Sequence, residues 1–212
     1  MKKQFRYSAL IVLLLLVPSA GWSKSHVYFS PGDKPGTELI KLIDEAKKKI
    51  HAAVYMFTDN KIATALINAK KRKVDVQLIV DKTTTECMYG KAYFLQQNGI
   101  DVFVYSPLSS KPTGDNPYQK YPPLMHHKFA IIDKKLWTGS FNWTRSANYR
   151  NEENALLLSD QALQVQFEER FEMLKQKCVP VGAQQVAPEN QEPLRTRMIN
   201  FLNMLRTAVL VN

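Results

Sequence analysis

Hydrophobic positions along residues 27–105 follow two spacings, one typical of β-strands and one typical of α-helices. Apolar or β-prone runs predict strands at 27–29, 52–57, 75–80 and 101–105. Between them, apolar residues three and four positions apart predict helices at 38–49, 60–72 and 89–97, the second capped by Asn60. This alternation predicts an α/β fold, in which a mixed but mostly parallel β-sheet carries helices on both faces as an α/β/α sandwich.

The hydrophobic pattern of residues 125–177 extends the same domain. Further strands are predicted at 125–133, 135–138 and 152–158. The helix that follows, at 160–177, has an apolar stripe made of Leu163, Phe167, Phe171 and Leu174. We expect this helix to close a single domain that spans residues 24–179.

Residues 1–23 have the features of a signal peptide. Three positively charged residues precede a wholly apolar run at 9–17, and small residues follow it. Nine apolar residues are too few to span a hydrocarbon core of about 30 Å. We therefore predict export, to a periplasm or out of the cell, with an uncleaved membrane anchor as the alternative.

The composition excludes some protein classes and favours anionic partners. Hydrophobic residues make up 45% of the chain and charged residues 23%, which excludes a disordered chain, a collagen and a coiled coil. The net charge is +10, and removal of residues 1–23 leaves 26 basic against 19 acidic residues. This excess favours nucleic acid or an anionic membrane surface as partner. The lysine-rich runs at 47–49 and 70–73 are interpreted as solvated helix ends.

The two cysteines, Cys87 and Cys178, allow two interpretations. In an oxidising compartment they could form a disulfide, and two free thiols are the alternative. Neither cysteine has the spacing of a metal ligand, so no structural zinc site is expected.

Residues 106–123 form a proline-rich stretch without periodicity, which predicts a long loop. Within it, Lys111 and Lys120 accompany the aromatic rings of Tyr118 and Tyr121. Such a mixture suits single-stranded nucleic acid, because rings stack on bases while lysines bind phosphates. An ordinary surface loop is the alternative interpretation.

Residues 180–212 form a tail outside the predicted domain. A Pro- and Gln-rich linker at 180–193 precedes apolar residues at helical spacing, which predicts a short amphipathic C-terminal helix. Docking on the domain or on a partner subunit is one interpretation. Peripheral contact with a membrane surface, assisted by arginines, is the other.

The residues that carry chemistry begin at His126 and Lys128, which alternate onto one face of a predicted strand, whereas His127 faces the other way. An imidazole beside an ammonium suits a phosphoryl group, because the cation neutralises phosphate oxygens while the imidazole attacks or donates a proton. Downstream, Ser140 and Asn142 follow a glycine and offer further hydrogen-bond donors. Another strand then begins with a carboxylate.

This order of residues resembles the HKD signature of the phospholipase D superfamily. The matching elements are His126-x-Lys128-x4-Asp133, Gly139-Ser140-x-Asn142 and Glu153-Asn154-Ala155. The segments at 28–31 and 80–82 also look like those of the small, single-motif bacterial endonucleases in that superfamily. The resemblance covers residues 27–178, and it implies the same α/β/α fold and phosphodiester hydrolysis.

The resemblance also implies a role for each matching residue. His126 would be the nucleophile that forms a phosphohistidine, or the acid that protonates the leaving group. Lys128 and Asn142, assisted by Ser140, would bind the phosphate oxygens, and Glu153 would orient the imidazole. Asp133 would be structural. Neither a metal nor another cofactor is expected, because lysine and histidine supply the positive charge.

The mechanism needs two histidines, and the chain has one HxK motif. His26, His51 and His127 lack a lysine two residues later. We therefore predict a homodimer whose two copies of His126 face each other across a two-fold axis.

For the function, we expect an exported nuclease that cleaves DNA or RNA. A phospholipase D that hydrolyses phospholipid headgroups is the alternative, although the sequence shows no obvious apolar interfacial loop. A phosphate-binding protein without activity is a further alternative, which the presence of all the motif residues disfavours.

Overall fold

The computed structural model describes residues 25–105 and 123–182. Their strands are β1 (Ser25–Ser30), β2 (Lys49–Val54), β3 (Asp75–Asp81), β4 (Asp101–Tyr105), β5 (Lys128–Ile132), β6 (Lys135–Gly139), β7 (Glu153–Leu158) and β8 (Cys178–Pro180). The helices are α1 (Pro35–Glu45), α2 (Asn60–Lys71), α3 (Lys82–Glu86), α4 (Ala92–Gln97), α5 (Arg145–Tyr149) and α6 (Gln161–Lys175). Three predictions lie outside the described residues: the signal peptide predicted at 1–23, the substrate loop with Lys111, Tyr118, Lys120 and Tyr121, and the predicted C-terminal helix.

All eight strands form one sheet in the order β1-β7-β6-β5-β2-β3-β4-β8. The predicted fold class, a mixed sheet flanked by helices, is confirmed. The expectation that most neighbouring strands run parallel is wrong, because only β2–β3 and β3–β4 pair in parallel. The other pairings are antiparallel. Helical connections join β2 to β3 and β3 to β4, whereas the two-residue turn between β5 and β6 requires opposite directions.

Helices cover both faces of the sheet, and each face has its own hydrophobic core. Alternate residues of β2 divide between them: Ile50, Ala52 and Val54 pack with α1, α2 and α4, whereas Ala53 packs with α6. The apolar stripe predicted on α6 faces the second core: Phe171 and Leu174 are buried there, and Leu163 and Phe167 are partly buried. Strand alternation therefore separates the two cores.

Helix α1 ends at Glu45 rather than at 49, so the lysines at 47–49 lead into β2, whereas α2 differs from the prediction in its cap. Its N-cap is Asp59 rather than Asn60, because the Asp59 carboxylate accepts hydrogen bonds from the backbone N–H groups of Lys61 and Ile62. Among the described residues, no helix is both long and apolar enough to cross a membrane.

The α6 face contains a buried ionic network around His51. Its Nδ1 lies 2.5 Å from Glu168 and its Nε2 lies 3.1 Å from Asp75, while Lys49 Nζ contacts Glu168 at 2.5 Å. Burial alone would raise the pKa of Glu168, but the hydrogen bonds from Lys49 and His51 lower it overall. The network ties α6 to β2 and β3.

Both cysteines are free thiols in the described residues. The Cys178 Sγ lies 3.1 Å from the carbonyl oxygen of Leu174, and burial raises the pKa of this thiol to about 12. Cys178 thus packs at the end of α6, against its final turn, and the structure shows no disulfide between the two cysteines.

Asp133 joins the two halves of the sheet. It lies in the β5–β6 turn with a positive φ of 51°. Its carboxylate accepts backbone hydrogen bonds from Lys47 and Lys48 at 2.8 Å and from Lys49 at 3.0 Å. Burial alone would raise the pKa of Asp133, but these three donors lower it overall. The ionised carboxylate thus fixes the start of β2 against the end of β5.

Asp133→Asn is expected to lower the free energy of unfolding by about 1–3 kcal/mol near neutral pH, because an amide replaces one charged acceptor. A lowered native pKa contributes stability above the unfolded-state value, and that stability is lost as the pH falls through the native pKa. The difference between the two proteins should therefore shrink on acidification. Urea unfolding from neutral pH to about pH 2 measures it.

Asp101→Asn is the matched control, since its exposed carboxylate has a single ion pair, with Lys70 at 3.6 Å. This control should change stability by less than about 0.5 kcal/mol. A destabilisation by Asp133→Asn that stays constant with pH would contradict the role given to its charge.

Candidate active site

Four strands meet at one end of the sheet, where β2 and β6 finish and β5 and β7 begin. The register pairs Val54 of β2 with Lys128 of β5, and Gly139 of β6 with Ala155 of β7. Segments distant in sequence therefore place their polar side chains around one point. The residues predicted to carry chemistry come from these segments.

His126 and Lys128 lie against each other at the start of β5. The Lys128 Nζ is 2.9 Å from His126 Nδ1 and donates to the His126 carbonyl oxygen at 2.6 Å. The ring of Tyr55 is 4.5 Å from the His126 ring between centroids, and the same Nζ lies 5.1 Å from the Tyr55 centroid. Imidazole, ammonium and aromatic ring thus form one compact group.

The ammonium of Lys128 is largely removed from water, with 7% of the residue exposed. Burial lowers its pKa, and the nearby charge of Glu153 partly opposes that shift. The salt bridges of the described residues do not include Lys128. A positive charge held in a site of low polarity interacts strongly with any anion that enters.

Gly139 lets two backbone segments approach closely beside this group. Its φ is 146°, and a Cβ at this position would lie 2.3 Å from the carbonyl oxygen of Asn154. That oxygen accepts hydrogen bonds from the backbone of Ser140 at 3.0 Å and of Phe141 at 3.3 Å. The close approach fixes the turn that presents Ser140 and Asn142.

Asn142 is anchored by its side-chain oxygen. Its Oδ1 accepts a hydrogen bond from the backbone N–H of Met56 at 3.3 Å. The side-chain NH₂ has no protein partner among the described residues. It is therefore available to donate to a ligand, as the sequence comparison with the HKD signature implies for this position.

Glu153 is held by neighbouring polar groups. It accepts a hydrogen bond from the Ser140 hydroxyl at 2.6 Å and from the Asn151 amide at 3.1 Å. The same hydroxyl accepts from the backbone N–H of Asn154 at 3.0 Å. Within residues 25–105 and 123–182, no hydrogen bond joins Glu153 to His126. The carboxylate lies near enough to Lys128 to act on its charge, and Ser140 positions that carboxylate.

The other predicted residues lie apart from this group. Asp133 is at the opposite end of β5, where it has the structural contacts described above. His127 faces α6, with its Nε2 3.4 Å from Arg170 Nε. His51 is buried in its ionic network, and His26 lies in β1 opposite Leu157, away from the site. In the described residues, one imidazole therefore lies beside Lys128.

Sequence reasoning missed three supporting residues. Tyr55 packs on His126 and Lys128. Thr84 donates to the carbonyl oxygen of Tyr55 at 2.9 Å, and the buried carboxylate of Asp81 accepts from the backbone of Met125 at 2.9 Å. Asp81 thereby fixes the segment that leads into His126. The signals in the sequence are a polar aromatic residue directly after β2 and a carboxylate at the end of β3, within the segment 80–82 that the family resemblance includes.

The group of side chains that could hold a metal ion lies away from His126 and Lys128. Among the described residues, His51, Glu168 and Glu172 are near enough to one another to hold an ion. They lie on the α6 face, where His51 and Glu168 already contact each other and Glu168 also contacts Lys49. At the end of the sheet, His126, Lys128 and Asn142 offer an imidazole, an ammonium and an amide. Together these groups suit a phosphate.

Comparison with protein families gives a match over residues 39–175 to the model described as cardiolipin synthase, PLD-like domain. A protein named phospholipase D from Rickettsia conorii is 33% identical over 163 residues, which cover 76% of this chain and 74% of that protein. A mitochondrial cardiolipin hydrolase from Chlamydomonas reinhardtii is 28% identical over 155 residues, which cover 73% of this chain and 63% of that protein.

Solved structures share the fold. The phospholipase D family member Nuc from Salmonella typhimurium superposes with a TM-score of 0.64 at 28% identity, covering 74% of this chain and 97% of Nuc. NucT from Helicobacter pylori gives a TM-score of 0.67 at 24% identity, covering 74% and 99%. These matches confirm the family resemblance predicted from the sequence. The chain belongs to the phospholipase D superfamily of phosphodiester hydrolases.

Proposed function

We propose that this phosphodiesterase is an exported nuclease that cleaves nucleic acid without a metal, through a phosphohistidine on His126. The contact between Lys128 Nζ and the His126 imidazole carries the proposal. A phosphate that binds at this contact meets a buried cation and a nucleophile together. Asn142 offers a further donor beside them.

The proposed reaction has two steps. A ring nitrogen of one His126 attacks phosphorus, so that an N–P bond forms while the P–O bond to the leaving group breaks. A second His126 gives its proton to that leaving oxygen and then takes one from water. The resulting hydroxide attacks phosphorus, the N–P bond breaks, and the phosphate monoester leaves. Lys128 and Asn142 stabilise the negative charge on the non-bridging oxygens in both steps.

The second histidine is proposed to come from a second copy of the chain. Among the described histidines, His51 has carboxylates at both ring nitrogens and His127 faces α6. Neither is placed to protonate a leaving group at His126. A two-fold axis through the site would supply the missing imidazole.

Two observations support nucleic acid as the substrate. The excess of basic over acidic residues favours a polyanionic substrate. After removal of residues 1–23, 26 basic residues remain against 19 acidic residues. The superposition on Nuc covers nearly all of that protein. The lysine and tyrosine residues of the loop at 106–123 remain a prediction from sequence.

A phospholipid substrate is the second candidate, and two observations favour it. The Rickettsia conorii relative is named phospholipase D. The segment between α3 and α4 exposes Met88 and Tyr89, and α4 exposes Phe94. Such side chains suit a lipid interface. The amphipathic helix predicted in the C-terminal tail would add peripheral contact with the membrane.

The purified protein in excess EDTA is expected to cleave single-stranded DNA, duplex DNA or RNA, and to leave phosphatidylcholine vesicles intact. His126→Ala should lower cleavage by at least about 10³-fold, because it removes the nucleophile. Gel analysis of the nucleic acids and release of choline measure both reactions. His26→Ala is the matched control and should retain EDTA-resistant hydrolysis, because His26 is exposed in β1, away from the site.

Headgroup release with intact nucleic acid would establish the phospholipid alternative. Cleavage that disappears in EDTA and returns with a divalent ion would overturn the metal-free mechanism.

Heterodimers that contain one wild-type subunit and one His126→Ala subunit should be nearly inactive, because each turnover uses both imidazoles. Two different affinity tags allow these heterodimers to be isolated by sequential purification. Independent subunits would instead give half of the wild-type rate. A monomeric protein that is active at assay concentration, as measured by light scattering, would also rule out the shared site.

Export is tested by fractionation of bacterial cells that express the full chain. Mature protein in the periplasm or the medium should lack residues 1–23, as determined by intact mass. Retention of the whole sequence in the membrane fraction would support the uncleaved anchor instead.

A further inference from the structure

A second positively charged pocket lies beside the active site, on the α6 face of the same end of the sheet. It has a volume of about 260 Å³ and is lined by Tyr105, Leu124, Met125, His126, His127, Arg170 and Leu174. No carboxylate is among these residues. The lining therefore combines cationic and imidazole groups with apolar walls of low polarity.

Arg170 has no evident structural task. Residues three and four positions away on α6 are Gln166, Phe167, Met173 and Leu174, so the helix offers it no carboxylate partner. Among the described residues, the salt bridges do not include Arg170. Its polar contact is the one from Nε to His127 Nε2, at 3.4 Å. The rest of the guanidinium is free to bind an anion.

His127 completes the pocket as a hydrogen-bond donor. Because its Nε2 accepts from Arg170, a neutral ring carries its proton on Nδ1. Burial lowers the pKa of His127, and the charges of Arg170, Lys128 and His126 lower it further. The neutral His127 imidazole, with the cations Arg170 and Lys128 nearby, can donate a hydrogen bond to an anion in the pocket.

The pocket lies one residue from the nucleophile, although the two side chains leave opposite faces of the chain. Both histidines precede β5, which begins at Lys128. They therefore lie at the end of the sheet rather than within it. A polymer that crosses this end can contact the groups of both faces.

We propose that Arg170 and His127 form a second phosphate subsite, which binds the phosphate adjacent to the scissile one in a polynucleotide. This inference rests on the proposed nuclease function. A guanidinium paired with a neutral donor is well suited to a phosphodiester anion. The subsite would select polymeric substrates over those with a single phosphodiester.

The test compares a single-stranded oligothymidylate with bis(p-nitrophenyl) phosphate, a substrate that has one phosphodiester. Arg170→Gln is expected to lower kcat/KM for the oligonucleotide by about ten- to a hundredfold and to leave hydrolysis of the small substrate unchanged. The dependence of log(kcat/KM) on log[KCl] should lose about 0.7 in slope, as expected for one lost phosphate contact on a single strand. Arg170→Lys should retain that slope, because it keeps the charge.

Lys134→Gln is the charge-matched control. Lys134 is exposed in the β5–β6 turn, at the opposite end of β5 from the site. Removal of its charge should leave the oligonucleotide kinetics and their salt dependence near those of the wild type. Thermal unfolding of each variant verifies that the fold is intact.

Three results would overturn the subsite. One is a salt slope for Arg170→Gln equal to that of the wild type. Another is a parallel loss on both substrates, which would place Arg170 at the scissile phosphate or in the fold. The third is a shift from dimer to monomer with unchanged salt dependence, which would assign Arg170 to a subunit interface.

Failure of the nuclease proposal gives a different result, in which the wild-type protein hydrolyses bis(p-nitrophenyl) phosphate but no oligonucleotide. The subsite inference would then fall with the function on which it rests.

Discussion

The hydrogen bonds of the Asp133 carboxylate set the register on which the site depends. They bind three successive N–H groups before and at the start of β2. With that end fixed, β5 runs antiparallel to β2 so that Lys128 lies opposite Val54. A shift of one residue would turn every side chain of β5 to the other face. The final aspartate of the motif therefore positions the first two members, although it lies at the far end of the strand.

Much of the fold and the site could be predicted from local pattern. The alternation predicted for residues 125–133 places His126 with Lys128, as the structure does, although β5 itself begins at Lys128. The apolar stripe on α6 is likewise enough to give that helix a buried face. The proportion of parallel and antiparallel strand pairs could not be predicted from local pattern, because it depends on which strands become neighbours. The same limit applies to the sheet order, in which β5 separates β2 from β6.

The roles of the supporting residues of the site could not be predicted from the sequence for a related reason. Tyr55, Asp81 and Thr84 belong to elements that precede the motif by some 40 to 70 positions in the printed sequence. Their importance comes from contacts across the sheet end, such as the bond between Asp81 and the backbone of Met125. Glu153 shows the converse. Its type and position were predictable, whereas its contact with Ser140 follows from the turn that Gly139 permits.

The alternation of side chains over positions 126–128 also separates the residues proposed to react from a residue that can affect ligand preference. The residue between His126 and Lys128 points away from their side chains, so the reaction proposed for that pair places no direct demand on its identity. Here it is a histidine that packs against α6. In a chain of this design, the central position of the motif and its neighbours on the last helix can vary together. Ligand preference could then diverge between relatives while the reacting groups stay the same.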